Sequence, residues 1–309
     1  MPGLSVAVTG ATGFIGRVLL QSLVRDGWKV RALTRRPQTG DESITWIQGD
    51  LDDPAALQNL VQGVSAVVHC AGQVRGSSLD DFTRTNVEGT ANLVRASTQQ
   101  DLPPRFLLIS SLAARQPELS WYATSKHLAE QIVADHAGVM SCAVFRPTAV
   151  YGPGDKEMSP LFRATQRGVL PMVGRSAMRF GLLHVNDLVA AILCWLVTRV
   201  PIHGVYELDD GMPGGYDGHS VAAIAQDVWQ RPVRCLFLPA SLVSMTANVN
   251  LCLARLLHYS PMLTPGKVRE LQHPDWVCDI TPLIQALPDW QPCIRLRDAL
   301  PQAANLHNI

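Results

Sequence analysis

The first half of the chain alternates two rhythms of apolar residues. Short runs such as "VAVT" at 6–9, "AVVH" at 66–69 and "FLLI" at 106–109 show no alternation of apolar with polar positions. Strands of that composition are covered on both faces, as in a parallel sheet held between two layers of helices. Between these runs the apolar residues return at helical spacing, joined by short polar connections. The pattern predicts strands at 6–9, 29–33, 44–47, 66–69, 106–109 and 141–145, and helices at 14–25, 54–61, 79–100 and 121–136. This order of elements describes a doubly wound α/β sheet.

After "RPTAVYGPGD" the regularity lapses. Proline and glycine multiply, strand patterns shorten, and helices at 187–198, 219–229 and 240–257 stand apart between irregular links. The expected organisation is a nucleotide-binding domain over 1–150 and a smaller C-terminal α/β substrate-binding region over 151–309, partly interleaved with the first. No internal repeat or low-complexity segment interrupts either part.

Composition narrows the functional classes. With 309 residues, 47% of them hydrophobic, the chain can bury a sizeable core. Its 26 basic and 26 acidic residues cancel, so no net field draws nucleic acid or an anionic membrane, and neither is an expected partner. Seven scattered cysteines, odd in number and without a C-x-x-C pair, favour a reducing cytoplasm and argue against a structural metal site. A strand pattern that begins within about five residues of Met1 leaves no room for a secretion signal. Of the two most apolar windows, 188–198 is short of the roughly 20 residues a bilayer span needs, and 240–257 carries Asn248, Asn250 and Arg255. Both read as buried or amphipathic helices. The stripe Leu242, Met245, Val249, Leu253 and Leu256 reads first as core, with a partner or membrane-surface face as the alternative. The other face of that helix is nearly uncharged, so strong membrane binding is not expected.

The chemistry begins at "TGATGFIG". Gly10, Gly13 and Gly16 fall between the first strand and the first helix, where backbone N–H groups and a helix N-terminus can meet a pyrophosphate. Around them Thr12, Phe14 and Ile15 complete a candidate cofactor-binding turn. The second strand ends in Arg35 and Arg36, with no acid before Asp41. A carboxylate there would suit a ribose 2′-hydroxyl, whereas arginine suits a 2′-phosphate, so NADP(H) is favoured over NAD(H). Asp50, followed by Leu51, ends the third strand. Its carboxylate can accept from an adenine amine or cap the helix that opens near Pro54.

"SWYATSKHLAEQ" sets Tyr122 and Lys126 at i and i+4, on one face of a helix. A cation beside a phenol favours phenolate and lowers a pKa that starts near 10, as proton transfer near neutral pH requires. The preceding strand, "RFLLISS", delivers Ser110 and Ser111 to the sheet edge where ligands of such folds bind. One hydroxyl there can donate to a substrate oxygen. His69 and Cys70 at the end of a core strand read as packed rather than reactive, and Asp187, after His184, as a helix-start carboxylate rather than a catalyst.

"TGATGFIG", "GDL", "HCAG", "TNVEGT", "ISS", "YATSK", "RPTAVYGPGD" and "LLHVNDLVAAI" stand in the order and context of the extended short-chain dehydrogenase/reductases, the NAD(P)-dependent epimerase/dehydratase group, which residues 4 to 200 resemble. The resemblance implies a Rossmann-like fold with Tyr122 as acid/base. It implies Lys126 on the nicotinamide ribose, Ser111 polarising the reacting oxygen, and Asn86 supporting the site. Ala71 and Gly72 would line the cofactor cleft, with Pro147 and Val150 beside the nicotinamide. Two departures bear on the substrate. Only "LAARQPELSW" separates Ser111 from Tyr122, so any lid is small. Sugar-nucleotide members tend to carry a diphosphate-gripping arginine before "HV-D", where this chain has Phe180, with Arg179 one place away.

The expected function is an NAD(P)-dependent oxidoreductase that moves a hydride to or from a secondary alcohol or carbonyl on a small-molecule substrate, as a cytoplasmic protein with a homodimer left open. A sugar-nucleotide epimerase or dehydratase that recycles its cofactor is the enzymatic alternative. A regulatory or assembly module that binds cofactor without turnover is the alternative from another class, disfavoured because pure binding needs no serine, tyrosine and lysine set.

Overall fold

The computed structural model describes residues 5–39, 42–136, 139–174 and 178–304. Six strands pair in parallel: β1 (Ser5–Thr9), β2 (Lys29–Thr34), β3 (Ile44–Gln48), β4 (Ala66–His69), β5 (Arg105–Ile109) and β6 (Cys142–Pro147). In the sheet they run β6-β5-β4-β1-β2-β3, with Gly204–Leu208 added beside β6 as a seventh strand. The chain thus builds outward from β1 in one direction, returns, and builds outward from β4 in the other. The carboxyl ends of β1 and β4, paired Thr9 to His69, mark the reversal, where ligands of doubly wound sheets bind.

The helices of this part are α1 (Phe14–Arg25), α2 (Pro54–Val61), α3 (Leu79–Phe82), α4 (Gly89–Thr98) and α5 (Trp121–Asp135). Ala7, Leu57, Leu60, Val67, Leu93 and Phe106 are fully buried in one cluster between sheet and helices, as the unbroken strand runs require. One expectation needs correction. The single helix predicted over 79–100 is α3, a π-helical stretch at Thr83–Glu88, and α4. The extra residue per turn of that stretch carries Asn86 into the interior, where it is 2% exposed.

The chain divides into two compact units. One comprises residues up to Arg146 together with Val189–Tyr206; the other comprises Pro147–Leu188 and the chain from Glu207 onward. Among its described residues the second unit has three two-stranded sheets: Ala149–Tyr151 with Leu182–His184, Val169–Val173 with Arg234–Leu238, and Arg179–Phe180 with Asp275–Trp276. One of its apolar clusters gathers Tyr151, Phe162, Leu170, Tyr216, Leu296 and Leu300. Asp187 does more there than open a helix, because its carboxylate accepts from the Cys293 and Ile294 N–H groups at 3.1 and 2.8 Å and so ties the C-terminal segment down.

Candidate active site

The three glycines of the first turn do different work. Gly10 has φ +69, and a Cβ there would lie 2.5 Å from the Ala71 nitrogen. A Cβ on Gly16 would fall 2.1 Å from the Gly10 carbonyl oxygen. Both positions are glycine because the fold closes on them. Gly13 differs: its φ of −77 is open to any residue, it is exposed, and a Cβ would approach only the Gly10 oxygen, at 3.1 Å. Gly13 is also the N-cap of α1 and offers no side chain to the first-turn N–H groups. By contrast Asp53, Ser78 and Ser120 cap α2, α3 and α5. The N-terminal amides of α1 are therefore left for an anion from outside the chain, and the exposed Gly13 leaves room for its approach, as a cofactor pyrophosphate requires.

Arg35 and Arg36 follow β2 and are exposed. Arg36 is placed by Thr34, whose hydroxyl donates to the Arg36 carbonyl at 2.7 Å. Asp41, the next acid, lies outside the described residues. Asp50 is exposed, and its carboxylate accepts from the Asp52 N–H at 2.9 Å. It does not cap α2; Asp53 does, by accepting from the Ala56 N–H at 3.0 Å. Leu51 packs under Gly89 and takes a hydrogen bond from Asn92 on its carbonyl, which joins this loop to α4.

Tyr122 and Lys126 stand one turn apart on α5. The Tyr122 ring meets Phe82 edge-on, with centroids 6.2 Å apart. Lys126 is 5% exposed, and its ammonium donates to the Ile109 carbonyl at 2.9 Å, at the end of the strand that leads to the serines. Burial lowers its pKa from 10.5 to about 8, with the Glu130 carboxylate acting in the opposite sense. The backbone at Gly72 passes close by, since a Cβ there would lie 3.1 Å from the Lys126 nitrogen and 3.4 Å from the Asn86 amide oxygen. Asn86 in turn accepts from the Gln73 N–H at 2.7 Å and donates to the Ser125 hydroxyl at 2.9 Å. One buried amide therefore pins the loop after β4 to the tyrosine helix.

The two serines divide. The Ser110 hydroxyl is buried and donates to Glu130, which also holds the Arg146 guanidinium, with Nε–Oε1 at 2.9 Å. Ser111 is half-buried and caps a short 3₁₀ turn by accepting from the Ala113 N–H at 3.2 Å, so its own proton stays available to a ligand. Sequence reading missed Glu130, although Tyr122, Lys126 and Glu130 repeat at i+4 on one face of the helix.

It also missed a polar chain beneath the site. Thr90 donates to the Asn86 carbonyl at 2.6 Å, so its oxygen accepts from His69 Nε2, 3.0 Å away. That makes His69 Nδ1 the acceptor of the Thr9 hydroxyl, whose oxygen takes the Ala71 N–H at 3.3 Å. Burial, and then the Lys126 charge, lower the His69 pKa to about 3, so the ring stays neutral and the direction of the chain is fixed. Cys70, with its thiol pushed up to about 12, is inert as expected. Pro147 and Val150 fall in the second unit, as does His184, which is buried and has its pKa lowered to about 4 by burial. Arg179 pairs with Asp217 at 3.5 Å, and the Phe180 ring lies against Tyr216.

The chain is similar to known proteins over most of its length. The NAD dependent epimerase/dehydratase family matches residues 6–208. A ceramide reductase of Caulobacter vibrioides is 35% identical over 288 residues, 92% of this chain and 89% of that protein. A 2-alkyl-3-oxoalkanoate reductase of Stenotrophomonas maltophilia is 27% identical over 206 residues, 60% of this chain and 62% of that one. Among solved structures, MoeE5 in complex with UDP-glucuronic acid and NAD has the same fold, with a TM-score of 0.76 over 98% of both chains at 24% identity.

Proposed function

The chain belongs to the NAD dependent epimerase/dehydratase family and is an NAD(P)-dependent enzyme of the extended short-chain dehydrogenase/reductase type; within that family we propose that it reduces a ketone on a long-chain, apolar substrate, with NADPH preferred. The observation that carries the reading is Lys126, buried one helical turn from Tyr122 with its ammonium on the carbonyl end of the strand that leads to Ser111. A binding module has no use for a buried cation beside a phenol. The reductase similarity over 92% of the chain supports this substrate class, as does Phe180 at the place where sugar-nucleotide members tend to carry their diphosphate arginine.

When bound, the nicotinamide cofactor supplies a hydride. The α1 N-terminus with Gly13 would hold its pyrophosphate, Arg35 and Arg36 would pair with a 2′-phosphate, and Asp50 and Leu51 would serve the adenine. Ala71 and Gly72 would line the nicotinamide side. The Ser111 hydroxyl donates to the substrate carbonyl oxygen and the Tyr122 phenol delivers a proton to it. Lys126 stabilises the phenolate that remains, and Asn86 holds Lys126's surroundings in register. The seven free cysteines suit a reducing cytoplasm.

The test is to follow absorbance at 340 nm with NADPH against long-chain 3-ketones, steroid ketones and UDP-sugars. Net oxidation with the long-chain ketones supports the reading. A changed UDP-sugar without net oxidation would establish the epimerase instead, and cofactor binding without turnover of any substrate would favour the regulatory module. Replacing Arg35 and Arg36 together by alanine should weaken NADPH by about 10- to 100-fold relative to NADH, the loss expected for a charged hydrogen bond of about 1.5–3 kcal/mol. Fluorescence titration of both cofactors measures it; equal weakening would remove the arginines from the 2′-phosphate role.

A further inference from the structure

We propose that the outward face of the helix Ala240–Leu257 seats reversibly on an anionic phospholipid surface. Helices of water-soluble units turn their large apolar side chains inward. This one does the reverse. Its buried face carries Val243, Ala247, Leu251 and Ala254, of which Val243 and Ala247 cluster with Val268, with Val173, Leu238 and Leu263 alongside. At about 100° per residue, the stripe Leu242, Met245, Val249, Leu253 and Leu256 lies on the opposite side. Met245 is 60% exposed and Leu256 is 74% exposed. With Leu257, this single helix holds six of the 18 exposed large apolar side chains among the described residues. Because its inner face is fastened to its own unit, the helix is placed to lie on a bilayer and not to cross one.

Charge identifies the occupant. From residue 228 to residue 269 the chain has Arg231, Arg234, Arg255, Lys267 and Arg269 and no acid, in a protein whose 26 basic and 26 acidic residues cancel overall, so the rest of the chain is net acidic. Even with Glu270, which pairs with Lys267 at 2.8 Å, the segment is strongly cationic. An apolar face within a cationic segment matches anionic headgroups over acyl chains. A second copy of the chain fits less well. A two-fold contact would set these cations against themselves. The helix is about 27 Å long, and a strip about 10 Å wide buries about 270 Å² per partner, against about 800 Å² in a stable interface. Such a seat would hold the enzyme where a long-chain ketone resides, a consequence that rests on the substrate proposed above, whereas the docking itself does not.

Co-sedimentation of the full chain with vesicles tests it without any substrate, so its outcome is separate from that of the catalytic reading. The wild type should pellet with phosphatidylglycerol/phosphatidylethanolamine vesicles at least fivefold more than with phosphatidylcholine, and less as salt rises. M245Q/L253Q/L256Q, changed only at exposed positions and checked for an unaltered melting temperature, should lose that binding by fivefold or more. L102Q, at an exposed leucine on the other unit, should bind as the wild type. Equal binding by the triple variant, no binding by the wild type, or equal binding to neutral vesicles would overturn the proposal. So would a wild-type dimer in sedimentation velocity that the triple variant converts to monomer while vesicle binding stays absent.

Discussion

Tyr122→Phe should lower turnover by about 10²- to 10⁴-fold, the usual contribution of a positioned proton donor, and leave NADPH affinity within about twofold. The ring keeps its edge-on contact with Phe82, while the hydroxyl that exchanges the proton is removed. The same account fixes a pH dependence. Lys126 stabilises phenolate only while it is charged, and burial brings its pKa from 10.5 down to about 8. Reduction should therefore hold on the acid side of that value and fall as pH rises through it. Lys126→Met should remove this limb along with most of the rate. The cation that the variant lacks is costly to bury, so the apo melting temperature should not fall as it would for an ordinary core truncation. A loss of less than tenfold for Tyr122→Phe would take the phenol out of the proton transfer.

The second large effect separates two glycines only three residues apart. Gly10→Ala forces a side chain into φ +69 and to within 2.5 Å of the Ala71 nitrogen. Strain and overpacking each cost about 1–3 kcal/mol. At about 2–4 °C per kcal/mol for a domain of this size, the apo melting temperature should drop by roughly 5–20 °C. Gly13→Val meets no such barrier, since its φ of −77 is ordinary. Its apo melting temperature should stay near wild type, while the upward shift on adding NADPH disappears. At 100 times the dissociation constant that shift reflects about 2.7 kcal/mol in the wild type. Thermal melts with and without NADPH read both variants. A Gly13→Val protein still stabilised by NADPH as strongly as wild type would show that the exposed glycine serves the turn and not the phosphate.

The sequence was legible where burial is two-sided. Runs such as Ala66–His69 admit no reading but an interior strand, and all six predicted strands of the central sheet lie within two residues of their observed ends. Legibility fails where a strand is half-wet or short. Gly204–Leu208, exposed at Gly204 and Val205 and carrying Glu207, has no apolar run to announce it, yet it extends the sheet. Val169–Val173 contains Pro171, which argues against a central strand, but in a two-stranded sheet the missing N–H is tolerated at the edge. At the site, spacing found Tyr122 and Lys126 because one helix carries both. It left Ser110 and Ser111 undivided, since only the contact with Glu130 shows which hydroxyl is already engaged. The chain from Ala71 through Thr9, His69 and Thr90 to Asn86 joins positions up to 81 residues apart, at strand ends and on a helix, and no local pattern links them. The helix at 240–257 lies where the pattern predicts it. The stripe Leu242, Met245, Val249, Leu253 and Leu256, read first as core, is however exposed, and Val243, Ala247, Leu251 and Ala254 are buried instead, because periodicity does not record which face is covered.

The most direct test of the reductase is the fate of the transferred hydrogen. NADPH deuterated at the transferring position, incubated with the enzyme and a long-chain 3-ketone, should give an alcohol with one deuterium on the former carbonyl carbon and one equivalent of NADP⁺ per product. Tyr122→Phe should slow its formation by the factor given above. A product that carries no deuterium, or one formed while the NADPH pool stays constant, would contradict a net reductase and make transient oxidation with internal return of the hydride the reaction of this chain.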